Sequence, residues 1–402
     1  MIGLIEDAVA PPIVSASCWK RIERAAALLS ADISGFLGLE RRLNQPEGEV
    51  DFAIHVARKT GGETILLRDI DAGGYAAKSS AWRRVRDFAA LWNAEGSAVR
   101  RGADNVWLEF DTAGEEARPS LPEPNLFFGP REGYCEQHGY RWVIDEALPA
   151  VTGSPLRSPA SDAVERAFGN LPPRARVFQI GSMLARPVPS VRLCVRGMSA
   201  ETVGPYLDSL GWKDDEKRLE SLIDDFAPFT DWIDYDIDLI ERNGTFELGP
   251  KIGFEGRVLM EKQYSERWKA ALEKTGDLGL CRDELRAALL ASGGLVMMTG
   301  KTRRRWPENL RACDAYLSPG YNASLALLLH HLKLVYDKDA PKDRLTAKVY
   351  LAAKVYWRSP GTDSAAKRKL RERLLKEAPK ESLPLFFRTE MPDLERIAAS
   401  AP

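Results

Sequence analysis

The sequence predicts an α/β fold in which five α-β-β-α units form one closed, ten-stranded antiparallel barrel with its helices outside. Stretches with apolar residues three and four positions apart repeatedly give way to two runs that alternate apolar and polar residues. This order recurs five times along the chain. An open sheet of ten strands would expose two long edges, whereas closure pairs every strand. The recurrence therefore favours a closed barrel.

The five units follow one another along most of the chain. The predicted helices span 18–29, 81–92, 161–171, 201–211, 217–226, 265–275 and 282–292. The predicted strand pairs are 51–57 with 63–70, 105–111 with 124–129, 176–183 with 190–197, 231–240 with 247–256, and 330–337 with 347–357. We place the barrel, as a single domain, in residues 1–358 and a basic helical tail in residues 359–402.

The composition narrows the class of protein. The 402 residues include 57 Lys and Arg against 58 Asp and Glu, a formal net charge of -1, so no overall field attracts nucleic acid or a membrane. The 5 cysteines are scattered without a C-x-x-C pair, which argues against structural zinc and indicates a reducing compartment. The first residues lack the basic and long apolar segments of a leader. We expect a cytoplasmic protein with no nucleic-acid or membrane partner.

The predicted lumen face is rich in cations and aromatic rings. In a closed barrel one face of each strand packs under the helices, so the polar members of each alternation should face the lumen. Its predicted members are Trp107, Glu109, Phe127, Arg192, Arg196, Lys251, Lys333, Lys348, Tyr350, Lys354 and Tyr356. Cations gathered in one cavity repel one another unless a polyanion such as a diphosphate lies among them. The alternative is an open sheet on which these side chains form a solvated face.

The order of the units and the strand Lys348-Val-Tyr350 resemble the ABBA-type prenyltransferases, which act on indoles, other aromatic molecules or cyanobactin-type peptides. The resemblance covers about residues 15–358, and its K-x-Y pattern recurs at Lys354 and Tyr356. His331 stands where the family has the arginine of an Arg-x-Lys strand.

The resemblance implies transfer of an isoprenyl group from dimethylallyl or geranyl diphosphate to an aromatic or peptide acceptor. Eight residues would hold the diphosphate: Arg192, Arg196, Lys251, Lys333, Lys348, Tyr350, Lys354 and Tyr356. Trp107 and Phe127 would shield the allyl cation and contact the acceptor. Glu109 would orient or deprotonate the acceptor, or else serve as a charge partner for one of the lysines.

The resemblance implies no required cofactor and no metal ligand, although Mg²⁺ could assist the reaction. Three aspartates share one face of the predicted strand at 231–240: Asp234, Asp236 and Asp238. Carboxylates in this pattern can bind magnesium or balance the cations of the lumen, and their strand-like spacing favours charge balance.

Two other functions remain open on the sequence alone. One is a catalytically silent barrel that binds an anionic ligand or a peptide, which the histidine at position 331 favours. The other is a five-fold propeller enzyme acting on guanidines, which would need a cysteine and a histidine such as Cys313 with His330 or His331. No glycine-rich motif surrounds Cys313, which argues against the propeller.

Overall fold

The strands close into a barrel. The computed structural model describes residues 1–45, 50–112, 121–186, 190–213, 216–259, 264–317, 322–340 and 345–358. Its strands are β1 (Phe36–Arg42), β2 (Val50–Ala57), β3 (Ala103–Phe110), β4 (Pro124–Pro130), β5 (Arg176–Ser182), β6 (Ser190–Arg196), β7 (Trp232–Arg242), β8 (Thr245–Arg257), β9 (Gly294–Met297), β10 (Asn322–Asp337) and β11 (Leu345–Arg358). The pairing order is β11-β1-β2-β3-β4-β5-β6-β7-β8-β10, all antiparallel, and β10 pairs back with β11. The predicted closed barrel of ten strands is confirmed, and β9 is an additional short strand beside β10.

The helices lie outside the barrel. They are α1 (Ile2–Ala8), α2 (Ala16–Ala26), α3 (Gly62–Gly73), α4 (Tyr75–Lys78), α5 (Ser80–Asn93), α6 (Ala98–Gly102), α7 (Tyr134–His138), α8 (Leu148–Thr152), α9 (Ala160–Gly169), α10 (Ala200–Ser209), α11 (Glu216–Phe226), α12 (Tyr264–Asp277), α13 (Asp283–Ala291) and α14 (Glu308–Leu317). None of them, within the described ranges, has the length and apolar run needed to span a bilayer. The predicted tail at 359–402 lies outside the described residues.

Helix α5 shows how the outer layer is held. The Ser79 hydroxyl accepts a hydrogen bond from the Trp82 N–H at 3.2 Å and caps the helix. Trp82, Phe88 and Trp92 recur at helical spacing and are fully buried. Phe88 packs on Phe128 of β4 with ring centroids 5.0 Å apart. Replacing such a residue with alanine typically costs about 3–5 kcal/mol, so this face is a main anchor of the helical layer.

The first unit differs from the prediction. Residues 63–70, predicted as a strand, belong to α3, and the missing strand is β1. The run of three apolar residues at 65–67 fits either element. Burial of Ile65, Leu66 and Ile70 follows the helical period, and left-handed glycines at Gly61 and Gly74 bound the helix.

The alternation of the later strands places their apolar residues under the helices, as predicted. Leu193, Ile252, Leu334 and Val349 are at most 4% exposed and belong to the core between barrel and helices. Tyr336, which is out of phase with Lys333, also faces this outer core. The polar members of the same strands are thereby directed into the lumen.

Candidate functional site

A cavity of about 640 Å³ occupies the lumen and opens at one end of the barrel. Aromatic residues from six strands form much of its wall: Phe36, Trp107, Phe127, Phe178, Trp232, Tyr350 and Tyr356. Tyr356 and Trp232 are 36% and 37% exposed, which places them at the mouth. The cavity is therefore large enough for a small organic ligand and lined with rings that can contact an apolar or cationic group.

Three rings pack together on one side of this cavity. Trp107 of β3 lies 4.9 Å from Phe36 and 4.7 Å from His55, measured between ring centroids. Burial, with a contribution from Lys354, lowers the pKa of His55 to about 3. His55 is thus a neutral ring at physiological pH, and this wall carries no charge.

A network of ion pairs covers the opposite side. Four carboxylates alternate with four cations in the order Asp238, Arg192, Asp236, Lys333, Glu255, Arg257, Asp234 and Arg196. The formal charges of these eight groups cancel. The pairing agrees with the charge-balance interpretation of the three aspartates.

The two arginines of β6 are held by bidentate bonds. Arg192 donates from Nε and Nη2 to Asp238 at 2.7 and 2.8 Å. Arg196 donates to Asp234 in the same way at 2.8 and 2.6 Å. Its guanidinium also lies 4.4 Å from the centre of the Phe178 ring. Such forks fix both the position and the direction of the guanidinium groups.

Lys333 is the most deeply buried cation of the network. It is 2% exposed and donates to Asp236, with Glu255 3.7 Å away. Burial alone would lower the pKa of Lys333, but Asp236 and Glu255 hold it above its ordinary value. A Cβ on Gly253 would lie 2.7 Å from Lys333 Cε, so the glycine lets this side chain cross β8 to reach Asp236.

A bulge in β10 turns two adjacent histidines towards the cavity. The register of β10 against β11 shifts between Leu329 and His331, leaving His330 as the extra residue. Arg257 Nη1 lies 2.9 Å from His330 Nδ1 and 3.0 Å from His331 Nδ1. A guanidinium can only donate, and the two Nδ1 atoms also lie 2.8 Å from each other, so one Nδ1 accepts and the other carries the proton between them. Two neutral imidazoles fit this arrangement. Burial lowers both pKa values well below the ordinary range, in agreement.

A second charged cluster adjoins the cavity at Glu109, which is the member that lines it. Its carboxylates are Glu40, Asp51, Glu109 and Asp111, and its cations are Arg42, Arg186 and Lys348. Four anions against three cations leave one surplus negative charge among these groups. Lys348 and the Tyr350 hydroxyl both donate to Glu40.

The surplus charge falls on Asp51 and Glu109. Oxygen atoms of Asp51, Glu109 and Asp111 all lie within 4.8 Å of one another. Burial, together with the charge of Glu40, raises the pKa of Asp51 to about 8 and that of Glu109 to about 7. Burial would also raise the pKa of Asp111, but hydrogen bonds from Arg186 at 3.0 and 2.9 Å outweigh it and lower that pKa. Asp51 and Glu109 are therefore the carboxyls of this cluster that take up a proton most readily, and Glu109 lines the cavity.

Eight of the residues predicted from the sequence line the cavity: Trp107, Glu109, Phe127, Arg192, Arg196, Lys333, Tyr350 and Tyr356. Lys251 does not, and its predicted place there is wrong. β8 is 13 residues long, and Lys251 lies far from the mouth, where it is exposed and faces Asp337 at 3.6 Å. Lys348 and Lys354 also lie outside the lining residues. Lys354 is over the rings of Phe36 and Tyr356, 5.8 and 5.1 Å from their centres.

Sequence reasoning missed several lining residues. Phe36 lies on the strand that was not predicted, and Phe178 and Trp232 lie on predicted strands whose facing was not assigned. Alternation also puts Arg257 of β8 on the lumen face, and there it connects Asp234 with the two histidines. Phe178 is the extra residue of a bulge in β5, between Val177 and Gln179, so alternation alone could not have located it.

The propeller alternative is wrong, because the fold is a closed barrel. Cys313 lies on α14, outside the barrel, and does not meet the two histidines in the cavity. Burial raises the pKa of the Cys313 thiol to about 12, so it is not a reactive thiolate.

No family model matches this sequence, and the comparison with curated proteins gives no match. Similar solved structures include the prenyltransferase PriB in its apo form, with a TM-score of 0.44 and 14% identity over 87% of this chain and 89% of that chain. AnaPT from Neosartorya fischeri has a TM-score of 0.47 and 13% identity over 82% of each chain. The likeness to a prenyltransferase that the sequence suggests is found again with PriB, and it concerns the fold alone, without a substrate or a residue role.

Proposed function

We propose that this barrel transfers an isoprenyl group from an allylic diphosphate, dimethylallyl or geranyl, to an aromatic molecule or a peptide side chain. The observation that carries the proposal is one cavity in which an uncharged aromatic wall faces a network of arginine and lysine side chains. An allylic diphosphate has an apolar chain, a strongly anionic end and a cationic intermediate. These three parts match the aromatic wall, the cations and the ring faces.

The diphosphate would enter at the mouth and contact the cations that border it. Arg196 uses Nε and Nη2 for Asp234 and has no described partner at Nη1. Lys354 has no ion pair among the described residues and lies next to Tyr356. Arg192, Lys333 and Tyr350 would act from deeper in the lumen. Lys348 would act indirectly, because it holds the Glu40 carboxylate to which Tyr350 donates.

The neutral network affects how the donor binds. Each of its cations already faces a carboxylate, so the charge of an incoming diphosphate is not balanced by these eight groups. Mg²⁺ arriving with the donor would supply that balance, although our proposal requires no metal and assigns no metal ligand.

In the reaction, the bond between the allylic carbon and the diphosphate oxygen breaks, and the electron pair leaves with the diphosphate. Arg196 and Lys354 would stabilise that developing charge. Trp107 and Phe127 would face the allyl cation and keep water from it. The acceptor forms the new bond to the allylic carbon, and its proton passes to Glu109. A carboxyl with a pKa of about 7 is partly ionised at neutral pH and suits this role.

The test incubates the purified protein with dimethylallyl and geranyl diphosphate and a panel of indoles, phenols and peptides containing tryptophan or tyrosine. Mass spectrometry should detect a product heavier by one isoprenyl group. The matched variant Glu109→Gln keeps the shape of the side chain and should retain donor binding while transfer falls. A protein that binds neither donor at millimolar concentration would show that the proposal is wrong.

The silent barrel remains the second candidate, and the neutral network favours it. A lumen whose charges are already paired needs no anion for its stability. Such a protein would bind an anionic ligand or peptide without turnover. Saturable donor binding with neither transfer nor hydrolysis across the whole panel would support this second function.

A further inference from the structure

A short strand extends the barrel wall at the cavity mouth. β9 pairs with Ser324–Leu327 of β10, beyond the point where β8 ends. β8 pairs with His331–Asp337 on the same edge of β10. In the described part of the chain β9 has no second neighbour. Within the described residues no strand pairs with its other edge, which lies above the end of β8, where Val258 and Leu259 line the cavity.

The backbone groups of β9 alternate between its two edges. The Met298 N–H donates to the Ala323 carbonyl at 3.0 Å, so every second residue back along the strand also faces β10. Leu295 and Met297 lie between these positions and turn their backbone groups to the open edge. The Thr302 hydroxyl already donates to the Met297 carbonyl at 2.7 Å. The N–H and C=O of Leu295 and the N–H of Met297 have no partner among the described residues.

In the described residues this edge carries few of the features by which proteins usually protect exposed strands, although helix α1 lies beside β9 and the Ala10 N–H donates to the Ser292 hydroxyl at 3.5 Å. Such features are charged residues, proline, a bulge, or a covering element. No charged residue and no proline occurs from Ala291 to Thr299. The Leu295 side chain is 47% exposed. An apolar edge with unpaired backbone groups favours pairing with an added strand.

We propose that the open edge of β9 binds an extended, acidic segment of another polypeptide as an additional strand. The turn that follows β9 explains the acidic character. Lys301 and Arg304 are exposed and have no ion pair within the described ranges. Arg303 and Arg305 of the same turn are paired with aspartates. Lys301 and Arg304 are therefore left to contact a partner. Lys354 adds a third cation at the mouth.

The same charges disfavour the other occupants. A second copy paired through β9 would bring no anion within residues 291–304 to offset Lys301 and Arg304. The chain's own segment after Arg358 contains five cations and one anion at 367–373, so its beginning is also of like charge. Like charges placed opposite one another on neighbouring strands are destabilising.

The register shows what an added strand would place at the cavity. Leu295 pairs with Ala326, Ala326 with Lys354, and Lys354 with Phe36. Directly paired residues share a face, and Phe36 lines the cavity. The residue opposite Leu295 would therefore turn its side chain towards the mouth. If the proposed transfer is correct, this residue is the acceptor, whereas the binding itself does not depend on that function.

The test measures binding of a fluorescein-labelled peptide, DETVWVTED, to the full chain by fluorescence anisotropy. Saturable binding is expected, and Lys301→Glu/Arg304→Glu should weaken it roughly tenfold through lost and reversed charges. The control Arg157→Glu reverses an exposed charge in the loop between α8 and α9 and should leave the affinity unchanged. The control peptide KKTVWVTKK should bind at least about tenfold more weakly.

Hydrogen exchange of the Leu295 and Met297 amides locates the contact. In the free protein both amides should exchange rapidly, and the acidic peptide should slow them at least about tenfold. Anisotropy that rises without slowing these amides would place the peptide elsewhere and overturn the proposal. The proposal would also be overturned if these amides already exchange slowly in the free protein. Slow exchange that depends on protein concentration would show that a second copy covers the edge. Slow exchange that is independent of concentration would show that the chain's own tail covers it. Peptide binding without any transfer would refute the proposed function alone.

Discussion

Replacing Glu109 with glutamine should stabilise the fold at alkaline pH, even though it removes the proposed base. Glu109 lies in a cluster with one surplus negative charge, and burial together with Glu40 raises its pKa from 4.5 to about 7. Below pH 4.5 the folded and unfolded chains both carry this proton. As the pH rises from 4.5 to 7 the unfolded chain loses its proton first, so stability falls, and above pH 7 the full cost is present.

The size of the effect follows from the shift. A difference of one pKa unit corresponds to 1.36 kcal/mol, so ionising Glu109 in the folded protein costs about 3 kcal/mol at pH 8. Asp51, with a pKa of about 8, competes for the same proton and carries part of this cost. Glu109→Gln should therefore raise the free energy of unfolding at pH 8 by about 1–3 kcal/mol and change it little at pH 5.

Urea unfolding of the wild type and Glu109→Gln at pH 5 and pH 8, followed by tryptophan fluorescence, measures this difference. The slope of the transition should be the same in both proteins, so that the midpoint reports stability. The prediction would be wrong if Glu109→Gln lowered the free energy of unfolding, relative to the wild type, more at pH 8 than at pH 5. That result would mean that Arg186, 3.7 Å away, keeps Glu109 ionised and stabilising.

Three further changes test other parts of the lumen. Lys333→Met leaves Asp236 buried without its main cation and should cost about 3–5 kcal/mol in urea unfolding at neutral pH; a cost near zero would contradict the buried ion pair. Gly253→Val places a side chain against Lys333 and should cost about 1–3 kcal/mol by the same measurement, and an unchanged midpoint would refute the crowding. Lys354→Met should weaken binding of a non-hydrolysable dimethylallyl diphosphate analogue roughly tenfold, as measured by calorimetry. The control is Lys251→Met, at an exposed lysine, which should leave the affinity unchanged. Equal losses in both variants would exclude a specific contact at the mouth.

The fold could be predicted where strands alternate clearly and not where two periods coincide. In β6 the order of Arg192, Leu193 and Cys194 is a clean alternation and led to the correct strand and facing. Residues 63–70 contain consecutive apolar positions that suit a helix or a buried strand, and the prediction took the wrong one. β9 has 4 residues and two adjacent glycines near its start, which is too short for periodicity to identify.

The candidate site could be predicted as a set of residues but not as a set of contacts. Alternation places Arg196 in the lumen, and the same rule places Asp234 there. That the two meet in a bidentate pair depends on the register of β6 against β7, which no local pattern specifies. The bulge at His330 is likewise set by pairing between distant strands, so two adjacent histidines facing one cavity could not be foreseen.

The lumen has one part in which the charged side chains pair with one another and another part, the mouth, in which cations are left to bind ligands. In the ion-pair network and the second cluster, each cation has a carboxylate partner, and the raised pKa of Glu109 limits the remaining negative charge. At the mouth, by contrast, Lys354, Lys301 and Arg304 have no carboxylate partner in the described residues, and Leu295 leaves backbone groups unpaired. A buried network of matched charges gains little from another anion, whereas an unpaired cation at a solvated rim gains a partner without breaking an existing pair. Selection between ligands should therefore depend on the mouth, and the deeper network should mainly hold the barrel in the shape that the mouth requires.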